Sequence, residues 1–112
     1  MSDEVLGKTT IAPEVLHTIA RLTALGVDGV SRMATSPNTI NRVANKNDNE
    51  GVKIEIKDNT VFVDLFVILK SEENVRVVSK NIQQRVKRAI NEMIGMDIAF
   101  VNIHIADIDF EL

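Results

Sequence analysis

The chain is 112 residues long, 45% hydrophobic and 26% charged, with 13 Lys and Arg against 16 Asp and Glu, a formal net charge of −3, and no Cys, Trp or Tyr. That length gives one domain over residues 1–112, able to bury roughly two-thirds of its unfolded surface in a single core. The missing thiols exclude zinc–thiolate sites, iron–sulfur clusters, disulfide frameworks and cysteine nucleophiles.

In chain order, Gly7-Lys8-Thr9-Thr10-Ile11 tolerates a β-strand, and Pro13 followed by Glu14 suits a helix start. Val15, Leu16, Ile19, Ala20, Leu22 and Thr23 recur at helical spacing, and Gly26 is placed to end the helix in a left-handed cap. From Ser31 to Glu50 the composition turns to Ser, Thr, Asn, Asp and Lys around Pro37, which predicts a long variable loop over residues 31–50. Val52, Ile54 and Ile56 then alternate with Lys53, Glu55 and Lys57, Asp58-Asn59 makes a two-residue turn, and a second strand runs from Thr60 to Leu69. Pairing Lys57 with Thr60 sets Ile56 against Val61, Ile54 against Val63 and Val52 against Leu65, a uniformly apolar core face. The opposite face receives Lys53 beside Asp64 and Glu55 beside Phe62, with Phe66 and Ile68 further along.

Glu72-Glu73-Asn74 opens a second helix, whose stripe is Val75, Val78, Ile82, Val86, Ala89, Ile90 and Met93, capped by Gly95. Between Arg76 and Glu92 it carries five cations and one acid. Ile98–Leu112 reads as a strand with Val101, Ile103 and Ile105 on one face and Asn102 and His104 on the other. The phase slips at Ala106-Asp107, where a bulge would let Ile108, Phe110 and Leu112 turn inward. The fold expected is α+β, a two-layer β-α-β-β-α-β sandwich with two helices on one face of a mainly antiparallel sheet.

No residue pattern calls for catalysis. His17 and His104 lie on different elements without a neighbouring nucleophile, and Asp107, Asp109 and Glu111 alternate as a solvated strand face does, so no catalytic residue, metal or cofactor is assigned. Gly26-Val27-Asp28-Gly29 matches the GXXG of KH modules, but basic residues are missing between its glycines; a helix cap and turn is the better reading, and nucleic acid is the disfavoured partner. The cations of the second helix, Arg76, Lys80, Lys87 and Arg88, point outward without interleaved aromatics, as an ordinary solvated face does; the functional alternative is a surface for an acidic protein or an anionic membrane. Phe62, Phe66, Ile68, Asn102 and His104 form a sheet face that no third helix can cover, so either the long loop folds over it or another chain does, and a protein contact, homo- or hetero-oligomeric, is the favoured reading. No apolar run approaches the roughly 20 residues of a membrane span, and the acidic Met1-Ser2-Asp3-Glu4 start is unlike a secretory signal, so a cytoplasmic location is expected.

An ordered set of short segments carries more than any one of them: Gly7-Lys8-Thr9-Thr10-Ile11-Ala12-Pro13-Glu14-Val15, Ile19-Ala20, Gly26-Val27-Asp28-Gly29-Val30, Val61-Phe62-Val63-Asp64-Leu65, Val86-Lys87-Arg88-Ala89-Ile90, Met93-Ile94-Gly95-Met96 and Val101-Asn102-Ile103-His104-Ile105. In that order they resemble the bacterial alkaline shock protein family, also called the envelope stress response family, from about Gly7 to Ile108. Lys70-Ser71-Glu72-Glu73 stands where members often have a Tyr-Gly pair. The resemblance implies a small non-enzymatic cytoplasmic protein that self-associates and that in some members is held near the membrane by a separate anchoring protein. Another branch of the family is linked to fatty-acid synthesis enzymes such as acetyl-CoA carboxylase. The partners implied are therefore a membrane-anchored protein or lipid-synthesis enzymes.

Overall fold

The computed structural model of the chain describes residues 6–7, 10–34 and 51–110. Helix α1 (Pro13–Leu25) begins on its proline after an extended Ala12, since the ring pre-sets φ where no N–H partner is needed. Its buried residues are Leu16, Ala20 and Ala24, one i, i+4 row. Val15 and Leu22, expected in the stripe, are exposed. Two alanines let the backbone lie close along a narrow seam, so residues off that row stay in solvent.

The end of α1 departs from expectation. Gly26 is right-handed at φ −84°, and its N–H bonds the Leu22 and Thr23 carbonyls at 3.1 Å, a tightened last turn rather than a left-handed cap. The left-handed residue is Gly29 at φ 101°, where a Cβ would sit 2.7 Å from Cγ2 of Val78.

Strand β1 (Val30–Met33) follows at once, inside the stretch read as loop, while residues 35–50 of that stretch lie outside the described residues. Tertiary pairing makes the strand: Val30, Arg32 and Met33 sit opposite Leu69, Ile68 and Val67. The expected leading strand falls partly on Lys8 and Thr9, outside the described residues; Gly7, Thr10 and Ile11 are not in a strand. The described order is therefore α1, β1, β2 (Val52–Lys57), β3 (Thr60–Lys70), α2 (Val75–Ile94) and β4 (Asp97–Asp109). The class and the layers are the expected ones.

The hairpin of β2 and β3 has the register its alternation dictates, Lys57 with Thr60 through Val52 with Leu65. Asp58 and Asn59 take φ of 51° and 67°, the handedness that a two-residue hairpin turn demands. Strand β4 runs parallel to β3 on its other edge, with α2 as the crossover that a parallel pair requires. One edge of β3 thus carries β2 and β1 end to end. At their junction the Ala34 N–H donates to the Phe66 carbonyl and the Phe66 N–H to the Gly51 carbonyl, both at 2.8 Å. The chain leaves this strand line at Ala34 and rejoins it at Gly51, so β1 and β2 stand as two halves of one strand line.

Asn74 caps α2 by accepting from the Val77 N–H at 3.1 Å, and Gly95 ends it left-handed at φ 81°. Val78, Ile82, Val86 and Ile90 are buried; Val75 and Met93, at the ends of the expected stripe, are exposed. Val61, Val63, Leu65, Val67 and Leu69 form the centre of the core beneath both helices. In β4 the pairing slips between the partners of Val67 and Ile68, which is the bulge expected at Ala106. Ile108 packs on the core, whereas Phe110 is 70% exposed, since the sheet has run out of partner beyond Lys70; Leu112 lies outside the described residues.

Candidate functional site

Strand alternation, which buries the odd-numbered residues of β3, delivers its even-numbered ones to the face away from the helices. Register assembles the rest of that face in rows: Lys57, Thr60 and Asp97; Glu55, Phe62 and Phe100; Lys53, Asp64 and Asn102; Phe66 and His104; Arg32, Ile68 and Asp107. Four of the five expected residues, Phe62, Phe66, Asn102 and His104, are brought together there with accessible surface. Ile68 is on the face but only 7% exposed. The Ser31 hydroxyl donates to Asp109 at 2.6 Å and Arg32 lies 3.6 Å from the same carboxylate; β1 and β4 flank β3, so these contacts pass over it and shield Ile68.

The centre of the face is a connected polar and aromatic cluster. His104 stacks on Phe66 with ring centroids 4.5 Å apart and planes 14° off parallel. Its Nε2 lies 2.9 Å from Oδ1 of Asp64, and the Asn102 amide donates to the same oxygen at 3.1 Å. Burial pushes the Asp64 carboxyl up, but the bonds to His104 and Asn102 and the positive charges of His104 and Lys53 outweigh it and hold it below its ordinary 3.8. At Asp109 the Ser31 hydrogen bond, helped by Arg32 and opposed by burial, likewise lowers the carboxyl. Phe62 and Phe100 meet edge to face at 5.2 Å, flooring a shallow hollow of about 110 Å³ with Lys53, Glu55 and Asp64.

A carboxylate favoured by folding contributes stability above its unfolded pKa and loses it as pH falls through the folded one. Asp64→Asn is therefore expected to be less stable than the parent at about pH 6 and to converge with it near pH 2. Urea midpoints at the two pH values check this.

Phe100 and Asp64 belong to the cluster and were not among the expected site residues. A signal for Phe100 existed, because it shares strand parity with Asn102 and His104. Asp64 as a hub could not be read, since it depends on which strand lies beside β3. The glycines at 26 and 29 do not form an open clamp: Val27 and Gly29 are buried, and the segment joins a helix to a strand. Arg76, Lys80, Lys87 and Arg88 are all exposed on α2, away from the sheet face. His17 bonds the Pro13 carbonyl within α1 at 3.0 Å, far in the fold from His104. Among the described residues, no cluster of three or more His, Asp and Glu side chains is arranged to hold a metal ion, and no helix is long and apolar enough to cross a membrane.

Comparison with known proteins agrees with this architecture. Residues 1–110 match the alkaline shock protein family, described as having a cell envelope-related function. The chain is 32% identical over 111 residues to the uncharacterized protein YqhY of Bacillus subtilis (strain 168), covering 97% of this chain and 82% of that protein. It is 33% identical over 114 residues to the uncharacterized protein Spy1535 of Streptococcus pyogenes serotype M6, covering 96% and 84%. Among solved structures, MamM-CTD 215-293 superposes with a TM-score of 0.52 at 14% identity, covering 89% of this chain and all of that one, a likeness of fold alone. The ordered segments from Gly7 to Ile108, the two-layer fold that they build and a match over nearly the whole length converge: this chain belongs to the alkaline shock protein family that its sequence resembles.

Proposed function

We propose that this chain is a non-enzymatic binding and scaffold protein, serving the envelope-related role of its family through protein–protein contacts made on the open sheet face. The observation that carries this reading is the face itself. Phe62, Phe66, Phe100 and His104 lie on a sheet whose two helices both pack on the other side, among the described residues. An aromatic patch rimmed by charge is the surface composition of protein interfaces. The exposed cations Arg76, Lys80, Lys87 and Arg88 on α2 provide a second, separate surface for an acidic partner.

Affinity capture from the native cell extract, with and without nuclease, tests the reading. The partners expected, on the family resemblance, are a small membrane protein or lipid-synthesis enzymes, recovered regardless of nuclease. Phe66→Ser and Phe100→Ser, each checked for an unchanged circular dichroism spectrum, are expected to reduce recovery at least tenfold, the loss of about 1.4 kcal/mol or more per aromatic anchor. Undiminished capture by both folded variants sinks the proposal. Recovery of nucleic-acid-bound proteins that vanishes with nuclease replaces it with the KH-like reading.

A further inference from the structure

The two edges of the sheet are defended unequally. An unpaired strand edge offers a row of backbone N–H and C=O groups to any extended chain, and proteins blunt such edges with short strands, bulges and closely spaced charges. The edge made of β1 and β2 is blunted: its strands are four and six residues long and carry Arg32, Lys53, Glu55 and Lys57. Among the described residues no strand pairs with the outer edge of β4. Its two bulges lie toward its ends, and between them residues 100–105 run in unbroken register with residues 62–67, without an Asp, Glu, Lys, Arg or Pro.

Helix α2 lies along this edge. Gln83 donates from the helix to the Val101 carbonyl at 2.9 Å, so the side of α2 that carries Gln83 stands over β4. Arg76 and Lys80 come seven and three residues before Gln83, and Lys87 four after it, which puts all three cations on that side. From Arg76 to Lys87 the helix rises about 16 Å, the length of about five residues of strand, so the cations track the uncharged stretch of β4. Among the described residues none of the three joins an ion pair. Below them Ile98, Ile103 and Ile105 turn toward the helices but are only half-buried, whereas the core-facing residues of β3 are fully buried. The helical cover thus stops short of the edge of the sheet.

We propose that β4 takes a short, extended, acidic segment of a partner protein as an added strand, its backbone on the edge of residues 100–105 and its carboxylates beside Arg76, Lys80 and Lys87. The proposal rests on the reading of the α2 cations as a surface for an acidic partner and names how that partner is held. Strand alternation sends every second side chain of such a segment to the helix side. There carboxylates meet the cations, and apolar residues between them cover the half-buried isoleucines. A segment bearing lysines at those positions meets three like charges instead and is rejected. Backbone pairing supplies affinity with little sequence preference, and the charges supply the choice of partner.

Peptide titration of the ¹⁵N-labelled full chain, followed by NMR, tests this. The synthetic nonapeptide Glu-Thr-Val-Thr-Glu-Thr-Val-Thr-Glu is expected to bind with a Kd of about 100 µM, to shift the amides of residues 100–105 and to slow hydrogen exchange on their outer edge. Two altered peptides are each expected to bind at least tenfold more weakly. One has lysine for glutamate; the other is methylated on its threonine and valine amides, which keeps the charge and removes the strand pairing. Lys80→Glu and Lys87→Glu, both at exposed helix positions, are each expected to weaken the acidic peptide at least tenfold while leaving the rest of the spectrum unchanged. No binding at about 1 mM, shifts centred on Phe62 and Phe66, or equal binding of the methylated peptide overturns the proposal. Outer-edge protection that grows with protein concentration before peptide is added also overturns it, since a second copy then fills the edge. If the methylated peptide binds equally while Lys80→Glu abolishes binding, the acidic-partner surface stands and only the strand addition falls. If both charge reversals leave binding unchanged, the reading of that surface falls with it.

Discussion

Gly51→Ala is expected to destabilise the fold by on the order of 3 kcal/mol. Gly51 stands at φ 81°, and a Cβ there would lie 2.6 Å from the Ala34 carbonyl oxygen and 3.1 Å from that of Phe66. Both obstacles are backbone, held by the 2.8 Å hydrogen bonds through which the two half-strands share Phe66; neither can swing aside as a side chain would. The substitution therefore adds a steric clash to the cost of a left-handed alanine. Gly95→Ala separates the two terms, since Gly95 has the same φ of 81° and nothing within 4 Å of its Cβ position. That variant is expected to lose only about 1 kcal/mol. Urea unfolding of the pair measures the difference, and equal losses would remove the close junction at Ala34 and Gly51 as the cause.

Leu65→Ala is expected to cost between about 2 and 5 kcal/mol. Leu65 is fully buried at the middle of β3, flanked in register by Val52 and Ile103, beneath both helices. Its neighbours are held from three directions by strands and helices, so the cavity cannot close by a local shift, and the loss should fall in the upper half of that range. For a domain whose total stability is about 5–15 kcal/mol, that is a large fraction. The urea midpoint should drop with an unchanged slope, because a cavity alters stability without altering the surface exposed on unfolding. A loss below about 1 kcal/mol would mean that the core around β3 is not packed as described.

The central features of this domain were legible because they are local. The two-residue turn at Asp58 and Asn59 specifies the hairpin register with no help from the rest of the fold, and that register assigns Phe62, Asp64 and Phe66 to the face away from the core. The α2 stripe, its Asn74 cap and its Gly95 terminator are likewise written within one turn of where they act. The phase slip at Ala106 announced a bulge because period two cannot be broken without an extra residue. Family membership was legible for a different reason: many weak segments in a set order.

What tertiary structure alone decided concerns which elements meet. Ser31, Arg32 and Met33 carry no strand signal of their own and become β1 only because the far half of β3 offers an unpaired edge. Gly26 reads as the left-handed helix stop, yet the left-handed residue is Gly29, three residues on, where Val78 also leaves no room for a Cβ. The parallel placement of β4 beside β3 brings Phe100 to Phe62, His104 to Phe66 and Asn102 to Asp64. Composition and periodicity determined the hairpin, the helices, most of the core and which residues of β3 face away from it, since each depends on neighbours a few residues apart. The make-up of the open sheet face depends on contacts between residues about 40 apart in the chain, and only the packed fold, by closing those long loops around one core, could decide it.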